Sequence, residues 1–262
     1  MLLLPPLAAV AGGSSSASAG PSYARAGECV RPGGPALAVD VARACRAVAA
    51  VVPQWHGRAS VVLADGAADV AADALDGTVR GHPDAWETLT PQGRQAVLTH
   101  ELVHVATAGL TTPQTPDWLV EGLAEAVAWR DVALPDRVVA RELAAEVRAG
   151  SVPPALPTAR DFAARPAQAY QEAWLAVDLL LRQLGPARFL DLYCEAGRAP
   201  LETALRAAGA VPVPTTVTRS RHASPDLVML REAEPRPGGT GRADVTRGLI
   251  TAWQAELVRR LG

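Results

Sequence analysis

The residues with the clearest chemistry are Thr99-His100-Glu101-Leu102-Val103-His104, followed by Trp118-Leu119-Val120-Glu121-Gly122. On a helix each residue turns about 100°, so His100 and His104 stand about 40° apart on one face, one turn along the axis. Two imidazoles placed that way can hold one metal ion. Glu101 lies in the same sector but offset, so it reaches a water beside that ion without ligating it. This is the arrangement that zinc-assisted hydrolysis needs. A catalytic zinc has three protein ligands and one open position. The histidines supply two ligands, and the third must be a His, Glu or Asp from a nearby element. Glu121 lies 121 − 104 = 17 residues downstream, far enough for the chain to reverse and lay a second helix beside the first. Glu125, one turn further on, is placed to accept a hydrogen bond from a ligand imidazole and fix its orientation. The plainer reading of Glu121 and Glu125 is a charged helix surface, but Leu119, Val120, Leu123 and Ala124 around them argue for a buried face.

Two helices must carry these side chains, and both have punctuation. Thr90 is a good N-cap and Pro91 a good first residue for the first helix, with Gly109 as its stop. The second is expected to start at Thr115 as N-cap with Pro116 at the first position. Upstream, Pro35 to Val52 has helical periodicity, ended by Pro53, and Ala59 to Ala64 reads as a buried strand before the turn dipeptide Asp65-Gly66. Asp69 to Leu75 is ambiguous, and Gly77 to Gly81 reads as a short strand at a sheet edge. Downstream, Asp136 to Ala149 is expected as one amphipathic helix. Ala167 to Leu184 is a long apolar helix broken by Gly185-Pro186, then come short helices over Ala187 to Glu195 and Leu201 to Ala208. Residues 211–248, rich in Pro, Gly, Thr, Arg and Ser around an apolar island at Leu227 to Leu230, read as a poorly ordered insertion. Leu249 to Leu261 returns to helix. The expected class is α+β and predominantly helical, with a small N-terminal sheet packed on the active-site helix and a helical C-terminal subdomain. The expected division is 1–20, 21–210, 211–248 and 249–262.

The chain has 262 residues, a net charge of −2 and 49% hydrophobic residues. That suffices for one substantial core, and it lacks the basic excess of a nucleic-acid binder. All 25 basic residues are arginine, read as a compositional bias. Leu2 to Val10 is too short to span a bilayer, and Ala17-Ser18-Ala19 fits a small-residue cleavage site. With no Lys or Arg before Arg25, residues 1–20 read either as an incomplete export signal or as an unstructured Ala/Ser tail. The expectation is a secreted or cell-surface protein with no membrane span. Of the three cysteines, Cys29 and Cys45 can pair in an exported chain, whereas Cys45 and Cys194 also fit as small core residues. Oligomeric state has no sequence signal.

These motifs resemble the gluzincin metallopeptidases. The segments "VLTHELVHVAT" (97–107) and "PDWLVEGLAEAVAW" (116–129) are similar to the peptidase MA-like domains of bacterial secreted proteins, distantly thermolysin-like. The segments "LPTARDFAARPAQAYQEAWLA" (156–176) and "LGPARFLDLY" (184–193) resemble their C-terminal helical part. The resemblance spans roughly residues 75 to 210 and the last helix; Ala126 departs from it where an aromatic is expected. It implies one zinc ion held by His100, His104 and Glu121, with Glu101 as base, Glu125 behind the ligands, and a peptide or protein substrate. Gluzincins use a downstream Tyr or His to support the oxyanion. Tyr193 lies in an apolar pattern and His222 in the low-complexity stretch, which leaves Tyr170, read either in that role or as a packed tyrosine. His56 and His82 have no partner pattern, and the six tryptophans read as core. A zinc-stabilised binding module with little hydrolysis is the competing function; a purely structural site has no need of Glu101 and normally closes its fourth position with protein.

Overall fold

The computed structural model describes residues 30–32, 35–55, 59–63, 71–210 and 244–262. The expected targeting segment, Cys29, His56, the Asp65-Gly66 turn, His222 and the Leu227 to Leu230 island lie outside them.

A four-stranded sheet begins the fold. Its strands are β1 (Val30–Pro32), β2 (Ala59–Leu63), β3 (Ala72–Leu75) and β4 (Thr78–Gly81), in the order β1-β2-β4-β3. β2 runs parallel to both β1 and β4, and β3 is antiparallel to β4, with Asp73 opposite Arg80. Ala72–Leu75, the end of the ambiguous stretch, is therefore a strand, and the expected edge strand over Gly77 to Gly81 is an inner one. The cause is the Asp76-Gly77 turn. Both residues have positive φ, 49° and 75°, which suits the right-handed twist of a two-residue hairpin and folds β3 back along the outside of β4.

Ten helices among the described residues make up the rest. α1 (Pro35–Ala49) and the sheet pack against α3 (Pro91–Thr107); α2 (Pro83–Thr88) lies between β4 and α3. Val61 and Val79 from the sheet join Val97, Leu98 and Leu102 from α3 in the core. α4 (Asp117–Trp129) crosses back beside α3, with α8 (Pro166–Ala196) on its other side. α8 is interrupted where Gly185 takes φ 75°, as the Gly-Pro pair requires. The expected 136–149 helix is two: α5 (Asp136–Val139) and α6 (Arg141–Arg148), broken at Ala140. α7 (Ala159–Ala164) and α9 (Leu201–Ala207) are short. α10 (Val245–Leu261) begins four residues before the expected Leu249, inside the stretch read as insertion. Its exposed N–H groups explain this: Asp244 accepts from Arg247, and the Glu202 carboxylate accepts from the backbones of Val245 and Thr246. The class is thus α+β and predominantly helical, and no helix among the described residues is long and apolar enough to cross a membrane.

The cysteines separate. Cys45 is disulfide-bonded. Cys194 is a free, half-buried thiol whose pKa is pushed up by burial.

Candidate metal centre

α3 starts as its sequence predicts: the Thr90 hydroxyl accepts from the Gly93 N–H at 3.1 Å, and Pro91 leads the first turn. α4 starts one residue later than expected. Pro116 is its N-cap, and the Thr115 hydroxyl instead accepts from the Thr112 N–H at 3.0 Å, tightening the link between the two helices. Gly122 sets how close α4 comes to α8. A Cβ there would stand 2.5 Å from the Ala173 carbonyl oxygen and 2.6 Å from Val177 Cγ2. A backbone carbonyl cannot swing aside, so only glycine permits this approach, one residue from Glu121.

The two helices bring three donors together. His100 Nε2 and His104 Nε2 are 3.0 Å apart, and Glu121 Oε2 lies 3.4 Å and 3.5 Å from them. Ligands about 2.0–2.2 Å from a tetrahedral ion stand roughly 3.3–3.6 Å from one another; the two edges to Glu121 match one face of such a site, and the His100–His104 edge is shorter. Glu121 Oε2 is buried and accepts no hydrogen bond despite its two imidazole neighbours. A buried carboxylate oxygen that makes no well-aligned hydrogen bond is costly, and a cation at the centre of the triangle would offset that cost. The group His100, His104 and Glu121 can therefore hold a metal ion.

The surroundings tune these donors. Burial works against a charged His100, but Glu121, Glu125 and Glu101 overcome it and lift the imidazole pKa well above its ordinary value. Burial also opposes the charge on Glu121; His104 and His100 prevail and hold its carboxyl far below the usual range. Glu101 goes the other way. Burial raises its pKa, His100 and His104 pull it down, and Glu121 and Asp73 push it up again, for a net rise. Its Oε2 is buried with no hydrogen-bond partner, so the carboxylate has an acceptor to spare.

Glu125 lies where the spacing places it. Its Oε1 is 2.9 Å from His100 Nδ1, though off the line of a good hydrogen bond, and its Oε2 accepts from the Trp129 indole N–H at 2.5 Å. Trp129, read only as core, thus holds the carboxylate that faces His100; its i+4 position from Glu125 on a helix was the available signal. Glu125→Ala is expected to weaken metal affinity about 10–100-fold with the fold retained. Chelator competition beside a thermal melt measures this, and an unchanged affinity would reduce Glu125 to a structural charge.

Tyr170 is buried on α8, with its ring centroid 6.2 Å from that of His100 and edge-on to Phe162 at 5.1 Å. The start of α8 is held by Arg165, which donates to both oxygens of the fully buried Glu172 at 2.5 Å and 3.0 Å. Tyr193 is a packing residue, as its pattern indicated: its hydroxyl meets Thr111 Oγ1 at 2.7 Å, and burial pushes its pKa up to about 12. His82, without a partner pattern in the sequence, is buried with Nε2 2.9 Å from Asp73 Oδ2, and Arg80 donates to the other oxygen of Asp73. Only the pairing of β3 with β4 brings these three together.

This is a predominantly helical α+β protein with a buried His–His–Glu group of metal-binding dimensions. No protein-family model, curated protein or solved structure matches the chain.

Proposed function

We propose that this chain is a zinc-dependent hydrolase of the peptidase type, acting on peptide or protein substrates outside the cytoplasm. One observation carries the reading: three converging donors beside a buried carboxylate, Glu101, that has a spare acceptor atom and a raised pKa. A purely structural site needs no such neighbour. Zinc suits two imidazoles and a carboxylate, and when bound it supplies Lewis acidity that polarises a carbonyl and acidifies water. His100, His104 and Glu121 would hold it, and Glu125 with Trp129 would orient His100. Glu101 takes a proton from the attacking water and delivers it to the leaving nitrogen; a carboxyl pKa raised by burial brings the group closer to the working pH for both transfers.

Among the described residues β3, not β4, ends the sheet on the side away from β1, and it is the candidate edge for substrate. It packs against α3 and carries Asp73 within the electrostatic reach of Glu101. A peptide backbone added along β3 would lie on the side of the sheet that packs against α3. The disulfide at Cys45 favours an oxidising compartment, in keeping with export.

Metal analysis of the purified protein and cleavage of a peptide library test the reading together. Bound zinc with no zinc-dependent cleavage would leave only the binding module. Tyr170 is assigned the oxyanion donor's place, on the strength of its position against His100. Tyr170→Phe is expected to lower kcat by roughly 10²–10³ with KM little changed. A normal kcat in that variant would make Tyr170 a packing residue.

A further inference from the structure

Beside the metal centre, on the Glu125 side of His100, lies a cavity of about 220 Å³ between the end of α4, the α5–α6 pair and the start of α8. Its apolar walls are Trp129, Trp174, Tyr170, Leu134, Val138 and Val139. The Trp129 and Trp174 rings stand 6.4 Å apart and tilted, and the guanidinium of Arg260 backs the Trp174 ring at 5.6 Å. Leu134 and Val138 are among the few large apolar side chains that the described surface leaves in water, 40% and 51% exposed. Apolar surface that is both concave and wet marks a place where something binds.

Several of the polar groups lining the cavity are paired with one another, although Glu125 Oε1 has no hydrogen-bond partner and Arg141 is engaged through Nε. Trp129 donates to Glu125, Arg141 donates to Glu142 Oε1 at 2.6 Å, and Gln171 donates to Glu142 Oε2 at 2.7 Å. The Gln171 carbonyl oxygen accepts from the Leu143 N–H at 2.9 Å. An occupant therefore finds wide aromatic faces beside a largely paired polar rim. Two carboxylates, Glu125 and Glu142, face one guanidinium, Arg141, so the lining is net negative and repels an acidic guest. The size also discriminates. A cavity of about 150 Å³ holds benzene in a well-studied engineered protein, so 220 Å³ accommodates a benzyl or indole group.

We propose that this cavity receives a large, uncharged apolar side chain of the substrate and rejects acidic ones. The assignment rests on the hydrolase reading for its occupant, and on the cavity's shape and chemistry for its selectivity. Glu125 and Tyr170 line the cavity and also lie against the His100 ring, so the cavity adjoins the candidate metal centre through these two side chains.

The test separates binding from cleavage. Zinc-loaded Glu101→Gln protein is titrated by calorimetry with N-acetyl-L-phenylalaninamide and with N-acetyl-L-aspartic acid amide. The aromatic probe is expected to bind at least about 10-fold more tightly. Two variants should each weaken it by about 10-fold or more: Ala167→Phe, which fills the cavity from its α8 wall, and Val138→Asp, which charges the exposed mouth; melts confirm that both are folded. In the native enzyme, peptides with Phe should exceed those with Asp in kcat/KM by about 10–100-fold, and Ala167→Phe should erase the difference. Selective binding without any cleavage would uphold the cavity and sink the hydrolase. Cleavage that ignores Phe against Asp, or probe binding unchanged in both folded variants, would overturn the cavity assignment.

Discussion

Glu101→Gln protein is expected to keep its zinc and to lose hydrolysis by about 10²–10⁴-fold. The amide matches the carboxylate in shape but cannot take a proton. Glu101 also stands outside the ligand triangle, so the metal should stay with His100, His104 and Glu121. The native carboxylate lies buried with Oε2 unpartnered and its pKa raised by burial against the pull of His100 and His104. The substitution also removes one negative charge beside His100, which should make the imidazole easier to deprotonate and leave metal loading at least undiminished. Metal content and turnover on a cleaved peptide are measured on the same sample. Native turnover in zinc-loaded Glu101→Gln would exclude Glu101 as the base.

Zinc itself is expected to give the largest effect on stability. An ion that binds only the folded chain stabilises it by about 4 kcal/mol at a free concentration 1,000-fold above Kd. For a domain of this size that raises Tm by roughly 8–16 °C. The shift should grow with pH. His100 has a raised pKa in the metal-free protein: burial opposes its charge, but Glu121, Glu125 and Glu101 prevail. A raised pKa stabilises the metal-free fold below the ordinary imidazole value, and that contribution fades as pH rises through the folded value. Zinc requires the neutral imidazole, so the same proton competes with the metal at low pH. Both effects make the zinc-dependent shift small in acid and large above neutrality. Glu121→Ala should abolish most of it by removing one of three ligands. A full shift in Glu121→Ala, or one that does not change between about pH 5.5 and 8.5, would place the metal elsewhere.

The candidate ligand pair was legible because its geometry is local. A helix alone sets His100 against His104 and offsets Glu101, and Thr90-Pro91 marks where that helix begins. The same locality places Glu125 one turn from Glu121 and puts Trp129 within its reach, although the sequence reading passed over the indole. The long α8, its break at Gly185-Pro186 and the predominantly helical class follow equally from periodicity and from residues with restricted backbones.

What the sequence left open depends on contacts between distant elements. The closure of Glu121 onto the histidines requires α4 to lie between α3 and α8 at a distance that Gly122 permits, and no local pattern encodes that distance. The edge of the sheet was misplaced because strand order arises from pairing partners. Asp76-Gly77 turns β3 outward past β4 and brings His82, Arg80 and Asp73 together. The cavity beside Glu125 is walled by Trp129, Trp174 and Tyr170 and by the two helices into which Ala140 breaks the expected 136–149 helix, a break that periodicity did not mark. Side-chain spacing along one helix is dictated by the backbone's own repeat. The gap between helices is decided by which side chains, or which missing Cβ, meet across it.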